Sequence, residues 1–244
     1  MNVLFCGQVP KDSNYPESTE DAVKISLEAG RLAISDGASE SFDSKTWAQI
    51  LVKTFVQSPE FSPDWLSGVI QEYNSQYDLS SLSWSKCAAF ERGSFATLLG
   101  IELFPTHASL DVLGVGDSLA VLLNGPDIID SFPYNFSSQF KQRPELLCTN
   151  SLYNGFSGSV DFFTRHFKTW SLNQIQQPFL LCMTDALGEW ALKMEQDGTP
   201  QWTTLLSITD VAHLESIVLN ERKQGRMRVD DVTLVSISFS EEIY

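Results

Sequence analysis

The sequence predicts an α+β fold built on antiparallel sheet, and three observations carry that expectation. The runs AVKISL (22–27) and RLAIS (31–35) flank the turn-like Glu28-Ala29-Gly30 and read as a β-hairpin. Between 95 and 123 the runs FATLLGIELF, SLDVLGV and LAVLL follow one another, the last two parted only by Gly116-Asp117-Ser118, and antiparallel sheet is their natural reading. The segment SKTWAQILVKTFVQ (44–57) instead places Trp47, Ile50, Leu51, Thr54 and Phe55 at i, i+3, i+4 spacing, one apolar stripe of a helix.

Taken in order, a second helix follows Ser62-Pro63-Asp64, where a capping hydroxyl precedes proline at the first helical position. The stretch from Asn124 to Gln177 is rich in Asn, Ser, Gln, Phe and Pro with weak periodicity, and reads as loops with at most one short helix, a flap or an insertion. Beyond it come a buried strand at FLLCMT (179–184), a helix after Asp185, another from about Asp210 to Arg222, and a closing strand, VTLVSISF (232–239). The six tryptophans are expected to pack helices on sheet.

The 244 residues suit one domain spanning 1–244, with 43% hydrophobic and 19% charged residues, near the globular average. With 31 acidic against 16 basic residues the net charge is −15, which argues against nucleic-acid and anionic-membrane partners. Cys6, Cys87, Cys148 and Cys182 form no C-x-x-C pair and no disulfide framework. No basic, apolar leader opens the sequence and no run nears the roughly 18 apolar residues of a membrane span, so a cytoplasmic location is expected.

Asp21 opens the first hairpin strand and Asp36 closes the second, so the two carboxylates sit within about two rungs of each other. Like charges at that separation repel unless a cation lies between them. Asp185 follows FLLCMT directly, and Asp230-Asp231 directly precede VTLVSISF. All lie where buried strands give way to loops. An oxygen-only set without His or Cys selects hard cations, Mg²⁺ or Mn²⁺, over zinc.

Six segments, Thr19-Glu20-Asp21, Ser35-Asp36-Gly37, Gly93-Ser94-Phe95-Ala96-Thr97, Val115-Gly116-Asp117-Ser118, Thr184-Asp185-Ala186-Leu187 and Asp230-Asp231-Val232-Thr233, occur in an order and spacing that resembles the type 2C (PPM-type) serine/threonine protein phosphatases. The resemblance runs from about residue 19 to 238. It implies two antiparallel sheets packed as a β-sandwich with helices on both outer faces, in α-β-β-α layers, and a metal site at one end. It implies that a water activated by two divalent cations hydrolyses phosphoserine or phosphothreonine in a protein substrate, with a partner kinase opposing it. By position, Asp36 resembles the carboxylate that bridges both cations, with the Gly37 carbonyl as a further ligand. Asp185 and Asp230 would complete the first cation's ligands. Asp21 would serve the second, directly or through water, with Glu20 as its companion. Asp117 resembles a residue that holds a weaker third cation in some members, and Asp231 could orient a neighbouring ligand.

Three departures stand out. Asp36-Gly37 continues into Ala38-Ser39-Glu40, where many members carry His-Gly-Gly with a histidine candidate for general acid. No arginine precedes Glu20-Asp21 to grip phosphate, so another Arg or Lys must substitute. Gly116-Asp117-Ser118 runs on into Leu119 where arginine is frequent. No metal ligand is lost, which favours an active enzyme over the alternative, a catalytically silent regulatory or binding module on the same fold.

Overall fold

In the computed structural model, which describes residues 1–239, twelve strands and seven α-helices alternate irregularly along the chain. They are β1 (Asn2–Val9), β2 (Ala22–Ser26), β3 (Arg31–Ser35), α1 (Ser44–Gln57), α2 (Pro63–Asn74), α3 (Trp84–Arg92), β4 (Phe95–Ala96), β5 (Leu98–Phe104), β6 (Ser109–Val115), β7 (Leu119–Asn124), β8 (Asp127–Phe132), β9 (Leu147–Cys148), α4 (Phe162–His166), β10 (Phe167–Ser171), β11 (Pro178–Met183), α5 (Asp185–Gln196), α6 (Trp202–Leu206), α7 (Val211–Lys223) and β12 (Val232–Ser238). The strands pair antiparallel into two five-stranded sheets, β1-β12-β11-β7-β8 and β10-β6-β5-β3-β2, with β4 and β9 forming a small third pair.

Period-two alternation assigns each strand's residues to opposite faces, and both faces are apolar because both are covered. Leu32, Ile34, Leu99, Ile101 and Leu110 of one sheet meet Ala120, Leu122, Leu180, Val235 and Ile237 of the other in the central layer. On the outer face of the first sheet Ala33, Leu98 and Leu113 receive Trp47, Leu51 and Phe55 of α1 and Val69 of α2. Outside the second, Val121, Leu181 and Leu234 receive Leu187 and Trp190 of α5 and Leu214 and Val218 of α7. The layering is therefore helix, sheet, sheet, helix.

The local signals explain the helix starts. Asp43 accepts from the Thr46 amide at 3.1 Å, Ser62 from Trp65 at 3.0 Å with Pro63 following, and Asp210 from His213 at 2.9 Å. Trp47, Trp170, Trp190 and Trp202 are core residues, as expected, but Trp84 at the start of α3 is 86% exposed.

Two stretches differ from the sequence expectation. Residues 124–177 are not a structureless flap: β8 and β10 each edge one of the two sheets, and four short helical turns join them. Their sequences, DIIDSF and FKTWS, are too short and too polar to show periodicity because edge strands keep one side in water. The amino-terminal β1 also escaped notice; it pairs with the closing strand, Val9 against Val232.

Gly116-Asp117-Ser118 is no hairpin turn: it carries the chain from β6 in one sheet to β7 in the other. Gly116 sits at φ +103°, and a Cβ there would lie 2.6 Å from Thr97 Cγ2. Gly116→Ala is expected to cost about 2–4 kcal/mol in strain and overlap, lowering the thermal midpoint by roughly 5–10 °C in a calorimetric scan.

A carboxylate-lined candidate metal centre

The hairpin register places Ala22 opposite Ser35, so Asp21 and Asp36 flank the next rung at one end of the first sheet. In the second sheet β11 and β12 pair Met183 with Leu234, and Asp185 and Asp230 emerge just beyond, at the same end of the sandwich. Asp117 arrives between them on the inter-sheet crossover. A cavity of about 170 Å³ results, walled by Asp36, Gly37, Asp117, Asp185 and Asp230, with Pro144 and Leu146 over one side.

Hydroxyls fix this wall. The Thr97 hydroxyl accepts from the Asp36 amide at 2.9 Å, the Thr97 amide donates to the Asp36 carbonyl at 2.9 Å, and Thr97 and Ser118 hydroxyls lie 2.8 Å apart. Asp21 lies behind the wall, buried; its Oδ2 accepts from Thr184 Oγ1 at 3.0 Å and Thr233 Oγ1 at 2.6 Å, while its Oδ1 is buried without a partner among the described residues. Asp185 likewise has one partnered oxygen, bound by Arg228, and one buried oxygen with none. Arg228 Nε also stands 4.0 Å from Asp230 Oδ2.

Electrostatics record the crowding. Burial first, then the charges of Asp21, Asp230 and Asp117, holds the Asp36 carboxyl well above the usual carboxylate range, with Arg228 opposing. Burial, reinforced by Asp231 and Asp230 and opposed by the two threonine hydroxyls, pushes Asp21 up to about 7. Burial also raises Asp117, again against Arg228.

Glu20 and Asp231 have different work. Burial alone would raise Glu20, but bonds from Lys11 Nζ at 2.8 Å, the Ser39 hydroxyl and the Ser44 hydroxyl at 2.5 Å hold it below its ordinary value. Asp231 is buried and accepts from the Lys11 amide at 2.7 Å and the Glu20 amide at 2.9 Å, tying the β1–β2 connection to the start of β12. Asp231→Ala would leave both amides without their acceptor, and is expected to cost about 3 kcal/mol in urea denaturation followed by tryptophan fluorescence.

The predicted residues thus fall into two groups. Asp36, Gly37, Asp117, Asp185 and Asp230 share the cavity with Asp21 directly behind, while Glu20 and Asp231 are braced in the framework beside it. Among the described residues no three acidic, His or Cys side chains already converge on one point as a closed cage. The donors nonetheless suit hard cations: they are all oxygens, they are pressed together against their own repulsion, and two buried carboxylate oxygens have nothing to bind. Sequence reasoning missed Arg228, whose signal was its place two residues before Asp230, and the aiming hydroxyls of Thr97, Thr184 and Thr233. None of the three histidines lines the cavity; His166 is buried elsewhere, with Nδ1 2.8 Å from the Gly114 carbonyl oxygen and Nε2 3.0 Å from Glu145.

No protein-family model matches the chain, and no curated protein matches it in sequence. In three dimensions it is similar to a bacterial serine phosphatase, with TM-score 0.55 and 16% identity over 97% of this chain and 98% of the other. It is similar also to the serine/threonine phosphatase Stp1 from Staphylococcus aureus (TM-score 0.53, 16% identity, 97% and 95% covered). A third likeness is to the catalytic domain of the serine/threonine protein phosphatase PstP in complex with two manganese ions (0.53, 15%, 98% and 100%). The chain has the α+β sandwich fold of these phosphatases over 97–98% of its length.

Proposed function

We propose that the chain is a metal-dependent phosphoprotein phosphatase acting on phosphoserine and phosphothreonine, with Asp36, Asp185 and Asp230 as the core of a two-cation site. The observation that supports this most is the convergence of Asp36, Asp117, Asp185 and Asp230 on one cavity, with one buried oxygen of Asp185 and one of Asp21 behind it unpartnered among the described residues. Mn²⁺ or Mg²⁺ held there would neutralise phosphoryl oxygens and acidify water, so that no covalent enzyme intermediate is required. Asp36, the Gly37 carbonyl, Asp185 and Asp230 would hold the pair, with Asp21 behind them and Asp117 able to take a weaker third.

The remaining work belongs to the protein. Thr97 fixes the Asp36 backbone, and Thr184 and Thr233 both bind one oxygen of Asp21, whose other oxygen has no partner among the described residues. Arg228 touches Asp185 and reaches towards Asp230 from a side chain 37% exposed. Swung away from Asp185, it would supply the cation that meets a phosphoryl oxygen where the expected arginine before Glu20 is missing. Its ion pair with Asp185 also gives the second reading its footing, a silent module in which an internal guanidinium replaces metal.

Hydrolysis of p-nitrophenyl phosphate and of phosphoserine and phosphothreonine peptides, measured with Mn²⁺, with Mg²⁺ and with EDTA, separates the two. Turnover that appears with Mn²⁺ and vanishes with EDTA is expected. A protein that neither binds Mn²⁺ by calorimetry nor hydrolyses any of these substrates would be the silent module.

No helix among the described residues is long and apolar enough to cross a membrane. A cytoplasmic location, a phosphoprotein substrate and an opposing kinase remain part of the proposal.

A further inference from the structure

Beside the acidic cavity lies a larger one, of about 390 Å³, between the C-terminal end of α3 and the chain around 143–153. Ala38 and Leu146 belong to the walls of both, so the second cavity adjoins the first along the loop that leaves Asp36-Gly37. Its chemistry is inverted. Phe95 and Tyr153, packed edge to face with ring centres 5.4 Å apart, form part of an apolar wall, and Arg92 and Arg143 supply two guanidinium groups.

Those arginines are unusual for this chain. Carboxylates outnumber cations by 31 to 16, and Arg31, Arg165, Arg226 and Arg228 each have a carboxylate partner. Arg92 and Arg143 are exposed and form no ion pair among the described residues, although Glu40 lines the same cavity. Arg92 ends α3, and the chain turns at once through Gly93 at φ +94°, where a Cβ would lie 2.6 Å from Cys148 Sγ, so the backbone that carries Arg92 is a close-packed corner. Planar guanidinium forks bind carboxylates and phosphates in pairs of hydrogen bonds, and the aromatic wall offers a face to the apolar part of a peptide.

We infer that this cavity is a second-anion subsite, which takes a carboxylate or a further phosphate of the same peptide whose phosphorylated residue enters the acidic cavity. The substrate class is then a phosphopeptide carrying two anionic side chains. This rests on the phosphatase reading for its substrate, and its test includes a measurement that needs no turnover.

Fluorescence anisotropy with Mn²⁺ would compare a labelled monophosphopeptide, made with a non-hydrolysable phosphonate analogue of phosphoserine, with versions that carry a glutamate or a second such phosphoserine analogue, moved one residue at a time to either side. The parent protein is expected to bind the best-placed doubly anionic peptide about tenfold more tightly than the monophosphopeptide. The Arg92→Gln, Arg143→Gln double variant is expected to lose that advantage, which also shrinks in high salt. The glutamate and phosphoserine arms tell which anion is preferred. With Mn²⁺, the double variant should show a KM about tenfold higher for the hydrolysable phosphoserine form of the same peptide at unchanged kcat, while turnover of p-nitrophenyl phosphate stays within twofold. Equal affinity of the parent for singly and doubly anionic peptides, or an equal loss on peptide and p-nitrophenyl phosphate, would overturn the subsite. Anion preference that persists without any turnover would overturn the phosphatase reading and leave the subsite standing.

Discussion

Asp36→Ala is expected to reduce Mn²⁺-dependent hydrolysis at least about 10³-fold and to leave the metal-free protein no less stable than its parent. Most removals of a buried polar group leave an orphan and destabilise. Here the opposite holds, because Asp36 is pressed by Asp21, Asp230 and Asp117, and its carboxyl resists ionisation. Among the described residues its side chain has no hydrogen-bond donor; the contacts that fix residue 36 run through its backbone to Thr97. Asp185→Ala should abolish turnover equally, and it frees Arg228, which is exposed enough to be solvated. Kinetics, calorimetric titration with Mn²⁺ and urea denaturation in EDTA check all three parts. Activity retained in either variant would remove the proposed site, and a destabilised Asp36→Ala would show the cluster to be a brace.

Raising the pH is expected to weaken the metal-free protein, and Mn²⁺ to reverse the effect. In the unfolded chain Asp21 loses its proton near 3.8, whereas in the fold burial and its acidic neighbours delay that to about 7. The folded state therefore holds more protons between those values, so stability is greatest below the lower one and falls as pH rises towards 7. For Asp21 alone the loss at pH 7 is roughly 4 kcal/mol, and Asp36 and Asp117 act in the same direction. In EDTA the thermal midpoint should drop by roughly 10 °C between pH 4.5 and 7.5. Saturating Mn²⁺ should restore more at the higher pH, since it binds the ionised carboxylates and displaces protons from them. A midpoint that is flat, or that rises, across this window in EDTA would contradict the crowding on which the site depends.

Much of this was legible because strong local signals coincide with it. The α1 stripe, the Ser62-Pro63 cap and the paired hairpin runs each specify an element without help from distant residues, and α1 came out at the bounds its periodicity gave. The acidic residues were visible as a group because four of them stand at strand ends. What could not be read depends on partners far along the chain. β8 and β10 are strands only because a sheet edge awaits them, and Asp231 and Asp230 are adjacent in sequence, yet one clamps two amides while the other faces the cavity. The pairing of Arg228 with Asp185 links residues 43 apart through two elements whose junction no local pattern encodes.

The crossover at 116–118 has one more consequence. It is one of the places where the chain changes layers, and the proposed ligands are divided between those layers, with Asp21 and Asp36 at the hairpin of one and Asp185 and Asp230 just beyond the core strands of the other. In the proposed site a cation would take its ligands from both layers. During synthesis the hairpin emerges first and must wait until β12, at the far end, has docked against β1 before its carboxylates gain their counterparts. On the proposed reading, metal capture would be the seal on a finished sandwich and would not serve as its nucleus.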